Sequence, residues 1–137
     1  MREFIKNENE LEEVIEYLKE LVGESSIVLL RGDLASGKTT LVKEYVKSLG
    51  IKSDVTSPTF SILQNYGDKI FHYDIYNKGV TDFLALGLLE NLGIEGVHFI
   101  EWADDKLERM IKDFMLQYVI IEIEVIDDKR KYSVKEG

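Results

Sequence analysis

The stretch Gly32-Asp33-Leu34-Ala35-Ser36-Gly37-Lys38-Thr39 restricts the fold more than any other part of this chain. Gly, four residues, Gly-Lys and a hydroxyl residue form the pattern of a loop that cradles phosphate. Such a loop works between a buried strand and a helix, and both are written around it. Ile27-Val28-Leu29-Leu30 is a short apolar run of buried-strand type, and Leu41, Val42, Tyr45, Val46 and Leu49 recur at helical spacing behind the loop. This order of elements separates the match from a chance one in an ordinary strand-to-helix turn. The glycines let the backbone turn tightly and bring N–H groups against an anion, and the helix N-terminus adds partial positive charge. Lys38 is the residue that would reach the outer phosphates, and the Thr39 hydroxyl the one that would bind Mg²⁺.

The elements before the loop are a short strand at residues 3–6 and a packing helix. Asn7 with Glu10 resembles a capping box, followed by Leu11, Val14, Ile15, Leu18, Leu21 and Val22 on one face and Gly23 as the stop. After the second helix comes Val55-Thr56-Ser57-Pro58-Thr59-Phe60, with the chain's only proline. It reads either as a hydroxyl-rich turn or as a switch-like loop whose hydroxyls respond to a terminal phosphate or metal. A strand to Tyr66, a Gly67-Asp68 turn and a return strand over residues 69–76 form a hairpin. Thr81 resembles a helix N-cap, and Gly87 and Gly93 predict an interrupted helix or a loop. Val97-His98-Phe99-Ile100-Glu101-Trp102 is a strand ending on an acid, residues 103–114 are helical in pattern, and residues 118–134 form an antiparallel hairpin turned at Asp127-Asp128. The fold class is α/β: a mixed central sheet flanked by helices, closed by an antiparallel C-terminal hairpin.

Two acids stand at strand ends. Mg²⁺ at a nucleotide takes one or two protein oxygens besides phosphates and water, and one commonly comes from an acid ending a buried strand beside the loop. Glu101 follows four apolar-type residues, so its carboxylate is costly there unless it meets a cation; it is read as the metal ligand beside Thr39. Three roles fit Asp74: outer support for the metal, orientation of the attacking water, or a cap on the following turn. His72 reads as a strand side chain rather than a ligand, because His98 is the only other histidine.

At 137 residues the chain is expected to form one domain over residues 1–137. Hydrophobic residues are 45% and charged residues 31%, the proportions of a soluble globular protein. The sequence has no apolar run of membrane-spanning length, no signal-peptide pattern and no cysteine, all compatible with the cytoplasm. The formal charge of −9 repels phosphate backbones, and Lys129-Arg130-Lys131 is the one short basic run. Direct nucleic-acid binding by the chain alone is therefore not expected.

Four motifs together carry a resemblance: Gly32-Asp33-Leu34 through Gly37-Lys38-Thr39-Thr40, Ser57-Pro58-Thr59-Phe60, His72-Tyr73-Asp74-Ile75-Tyr76, and Glu101-Trp102. In this order they resemble the TsaE (YjeE) family, bacterial ATPases needed to make threonylcarbamoyladenosine in tRNA. The resemblance implies a P-loop NTPase fold, ATP and Mg²⁺ as ligands, and the TsaD–TsaB heterodimer as partner. It assigns ATP to Gly32 through Thr40, Mg²⁺ to Thr39 and Glu101, a nucleotide-site role to Asp74, and a site or partner role to Trp102. The chain departs from the family at Ala35, where Gly is usual, and at Asn77, where Arg is usual.

Two other classes fit less well. A small-molecule or nucleotide kinase would bring several arginines on a mobile lid, whereas Arg2, Arg31, Arg109 and Arg130 are scattered. A Ras-type switch would carry Asn-Lys-x-Asp, and Asn77-Lys78-Gly79-Val80 has Val in place of the Asp. No arginine sits in a motif aimed at a terminal phosphate, so hydrolysis by the lone chain is expected to be slow and partner-dependent, with Ser57, Pro58, Thr59 and Trp102 as candidates for reporting nucleotide state.

Overall fold

A computed structural model describes residues 1–33, 36–52, 63–76, 79–85 and 87–137. In chain order the elements are β1 (Arg2–Lys6), α1 (Glu12–Val22), β2 (Ser26–Arg31), α2 (Lys38–Ser48), β3 (Leu63–Tyr66), β4 (Ile70–Asp74), α3 (Gly79–Ala85), α4 (Leu88–Asn91), β5 (Val97–Glu101), α5 (Asp105–Asp113), β6 (Tyr118–Ile126) and β7 (Lys129–Glu136). The strands make one sheet in the order β1-β7-β6-β2-β5-β4-β3. β2 runs parallel to β5 and β6, and β4 parallel to β5; β3, on one side, and β7, on the other, pair antiparallel, and β1 pairs antiparallel to β7.

The centre is parallel because its strands are buried on both faces. All of Ile27 to Leu30 and all of Val97 to Glu101 are buried, the continuous pattern of strands covered by helices on each side. Alternation divides them between two cores. Val28, Leu30, Val97 and Phe99 pack with α1 and α2, while Ile27, Leu29 and Ile100 pack with Phe83, Leu107 and Ile111 of α3 and α5. Leu29 and Leu30 are both fully buried, each contributing about 1.5–3 kcal/mol. β6 shows where this cover ends. It pairs with β2 only as far as Arg31↔Glu122, and from there buried Ile123 alternates with exposed Glu122 and Glu124.

Two starting signals differ from the sequence reading. The Asn7 side chain donates to Glu10 Oε1 at 2.5 Å, but this pair closes a turn, with Glu10 N–H donating to Asn7 O. α1 begins one turn later at Glu12, after Leu11, which makes no side-chain cap. Thr81 is not an N-cap either: α3 already runs from Gly79. Gly87, at φ 71°, does break the helical stretch, between α3 and α4. Among the described residues no helix is long and apolar enough to cross a membrane.

Candidate functional site

The central parallel strands end on the same edge, and the candidate residues gather there. β2 delivers Gly32, whose backbone passes so close to its surroundings that an added Cβ would lie 2.6 Å from Ser36 Oγ and 2.7 Å from Ile123 O. No larger residue fits without displacing backbone. Ser36 N–H donates to Asp33 O at 3.1 Å, folding the loop back, and Gly37 caps α2 with φ 106° and ψ 19°, a conformation glycine adopts at little cost. The first turn of α2 carries no acid, unlike those of α1 and α5, so the positive end of its dipole is left uncompensated by its own side chains.

Lys38 opens α2 and is buried. Its ammonium donates to Gly32 O at 2.7 Å and Asp33 O at 2.9 Å, and lies 4.0 Å from the centre of the Trp102 ring. Burial pushes its pKa below the ordinary lysine value, while Glu101, Asp74 and Asp33 pull it back up. Thr39 Oγ donates to Glu101 Oε2 at 3.0 Å. Glu101 is only 3% exposed. A hydroxyl, a carboxylate and an ammonium thus meet at the head of one helix, the donor set that a metal-bound polyphosphate needs. Thr40, partly buried, follows on the helix.

Strand register explains why the acids meet this helix. Asp74 pairs with Glu101 across β4 and β5, and Leu30 pairs with Glu101 across β2 and β5. Asp74 and Glu101 therefore end neighbouring strands at the same level. Asp74 Oδ1 accepts from Tyr76 N–H at 3.0 Å, so the turn-capping role is present. Tyr76 in turn packs on Trp102 with ring centres 4.7 Å apart. Trp102 holds φ 69°, rare for a bulky residue and costing about 1–3 kcal/mol of strain.

Three contacts were not legible in the sequence. His72 is fully buried, with Nε2 2.5 Å from Glu101 Oε2; its position two residues before Asp74 on the same strand face was the available clue. Arg130, the second residue of β7, donates through Nε to Ser36 O at 3.0 Å and pairs with Glu8, so the last hairpin braces the glycine loop. Arg31 points to α5, pairing with Glu108 at 2.6 Å and Asp105 at 3.7 Å. His98 belongs to the core: it stacks on Phe71, accepts from the Tyr73 hydroxyl at Nδ1 and donates from Nε2 to Ile94 O. Leu34, Ala35, Ser57, Pro58, Thr59 and Asn77 lie outside the described residues.

A buried strand, a glycine turn and a helix opening on lysine, beside a parallel strand that ends on a buried acid, define a P-loop NTPase fold. The crystal structure of Bacillus subtilis YdiB is similar, with a TM-score of 0.71 and 26% identity over 99% of this chain and 86% of that one. A family model described as threonylcarbamoyl adenosine biosynthesis protein TsaE matches residues 5–133. Two proteins called tRNA threonylcarbamoyladenosine biosynthesis protein TsaE illustrate the similarity. The one from Treponema pallidum is 37% identical over 111 residues, 79% of each chain. The one from Aquifex aeolicus is 34% identical over 136 residues, 95% of this chain and 92% of that one. The chain belongs to the TsaE family, whose role is in threonylcarbamoyladenosine biosynthesis.

Proposed function

We propose that this chain binds ATP with Mg²⁺ at Gly32 to Thr40 and hydrolyses it slowly, as the ATPase component of the tRNA threonylcarbamoyladenosine machinery, working with the TsaD–TsaB heterodimer. One observation carries the reading: the Lys38 ammonium, the Thr39 hydroxyl and the buried Glu101 carboxylate converge on the first turn of a helix that has no acid of its own there.

The residues present fit the ions they would meet. The Gly32 and Gly37 positions leave backbone, not side chain, facing the helix end, as a phosphate cradle requires. Thr39 and Glu101 offer oxygen ligands, the kind Mg²⁺ takes in small number beside phosphates. When bound, the metal supplies positive charge against the phosphate oxygens. The chain's own part is to hold the nucleotide. Lys38 exchanges its carbonyl partners Gly32 and Asp33 for phosphate oxygens, loop N–H groups grip the remainder, and the Trp102–Tyr76 pair walls one side. Asp74, level with Glu101, is the group that can orient water and accept its proton.

Slow turnover follows from how the arginines are committed. Arg31 pairs with Glu108 and Asp105, and Arg130 with Ser36 O and Glu8. Neither is spent on a terminal phosphate, where an arginine contributes about 10³–10⁵ in rate. A partner that completes or orders the site would raise the rate. The test is steady-state ATP hydrolysis with and without the TsaD–TsaB heterodimer, with a tRNA gel shift of the chain alone at physiological salt. The expected result is weak hydrolysis alone, about tenfold or more faster with the heterodimer, and no specific tRNA band. Fast hydrolysis by the lone chain, or tight tRNA binding without partners, overturns the proposal.

A further inference from the structure

We infer that His72, locked by Tyr66, is a positioning residue that aims the Glu101 carboxylate at the metal position beside Thr39; the inference rests on the reading of Glu101 as a magnesium ligand. The contacts form one line through the sheet. The Tyr66 hydroxyl of β3 lies 2.8 Å from Gln64 Oε1 and 3.1 Å from His72 Nδ1. His72 of β4 reaches Glu101 Oε2 of β5 through Nε2 at 2.5 Å, and the same oxygen accepts from Thr39 of α2 at 3.0 Å. His72 is 0% exposed, Tyr66 and Glu101 3% each.

Chemistry gives the line a direction. A carboxylate only accepts, so Nε2 carries the hydrogen in its bond to Glu101. Nδ1 then only accepts, and the donor beside it is the single Tyr66 hydroxyl hydrogen, which His72 Nδ1 and Gln64 Oε1 share; this contact holds the far side of the ring. Glutamate has three side-chain torsions, and burial alone does not choose among them. Two donors on Oε2, one from the helix and one from the neighbouring strand, do choose, and neither of them engages Oε1. A histidine at a fully buried strand position costs desolvation that a leucine would not. Its presence is accounted for by Glu101, because outer partners of this kind orient metal ligands and typically account for 10–100-fold in metal affinity. Asp74, on the same face of β4, leaves His72 one strand-repeat deeper, where it touches the acid and not the ligand. His72 is therefore not a catalytic residue.

The test titrates MgCl₂ into protein with ATP and follows binding by calorimetry, against ATP in excess chelator. His72→Leu, Tyr66→Phe and His72→Gln are compared with wild type, and thermal unfolding verifies folding. His72→Leu is expected to raise the Mg²⁺ concentration for half-maximal binding about tenfold, and Tyr66→Phe by a smaller factor. ATP affinity in chelator is expected to stay within about threefold, and His72→Gln, whose amide can replace the Nε2 donor, to recover most of the loss. An unchanged Mg²⁺ midpoint in the folded variants, with ATP still bound, overturns the inference. So does an equal loss with and without Mg²⁺, the mark of a merely structural histidine. If His72→Leu does not fold, Tyr66→Phe, which removes one oxygen, decides alone. Wild type failing to bind Mg-ATP would instead sink the reading of the whole site.

Discussion

Lys38→Met separates what the lysine does for the fold from what it does for a ligand. Methionine keeps most of the buried stem and removes the charge. The ammonium makes two bonds to loop carbonyls, at 2.7 and 2.9 Å, and one ring contact at 4.0 Å. Bonds to a charged group contribute about 1.5–3 kcal/mol each, and the ring contact about 0.5–1 kcal/mol. Against this stands the cost of taking an ammonium out of water, about several kcal/mol after relaxation; burial is the dominant influence lowering its pKa. The two sides nearly cancel, so the fold is expected to lose no more than about 2 kcal/mol, or roughly 4–8 °C in Tm. A bound triphosphate has no such cancellation. Losing charged bonds to two phosphate oxygens costs about 3 kcal/mol or more, so Mg-ATP affinity is expected to fall roughly 100-fold or further. Calorimetric titration paired with thermal unfolding measures both. A folded Lys38→Met that binds Mg-ATP like wild type refutes the phosphate-loop reading, and a variant that cannot fold refutes the cancellation.

Three more outcomes are expected. Glu101→Gln should weaken the Mg²⁺ dependence of ATP affinity and cost hydrolysis more than folding; if Asp74→Asn does this instead, the two acids exchange roles. Tyr132→Phe should stabilise the protein by about 1 kcal/mol in urea unfolding, because the Tyr132 hydroxyl is buried with no hydrogen-bond partner among the described residues and burial, with Glu8, raises its pKa to about 12; a loss of stability of that size refutes the argument. Burial holds His98 below the ordinary histidine value of 6.5, so its contribution to stability is full above pH 6.5 and is lost as pH falls through the lower folded value, at up to about 1.4 kcal/mol per pH unit. Urea unfolding between pH 5 and 8 checks this, and a His98→Gln variant with an undiminished slope contradicts it.

The fold was legible where local pattern and tertiary demand agree. Continuous apolar runs marked β2 and β5 because strands covered on both faces need no alternation, and Glu122 to Glu124 alternate because one face there is open. The strand–glycine turn–helix order and the strand-end positions of Glu101 and Asp74 were legible because they follow directly from local pattern. Helix starts were less so: Asn7 and Glu10 have the spacing of a capping box, and the same bond closes a turn equally well. The His72–Glu101 bond and the Arg130 brace were out of reach for another reason. Each joins residues separated by 29 and 94 positions, and only strand order, which no short window encodes, brings them together.

That separation has a consequence in time. β1, which precedes the other elements in the chain, has its sheet neighbour in β7, which follows them, with Arg2 opposite Val134 and Lys6 opposite Arg130. During synthesis the P-loop helix and the central strands exist long before Arg130 leaves the ribosome to hold Ser36. At domain elongation rates of about 5–20 residues per second, the 90 or so residues between loop and brace take roughly 5–18 seconds to appear. Until then β1 is an unpaired edge and the phosphate loop lacks its brace. A nascent chain halted before residue 129 would carry every motif residue of the site without the Arg130 contact that holds Ser36.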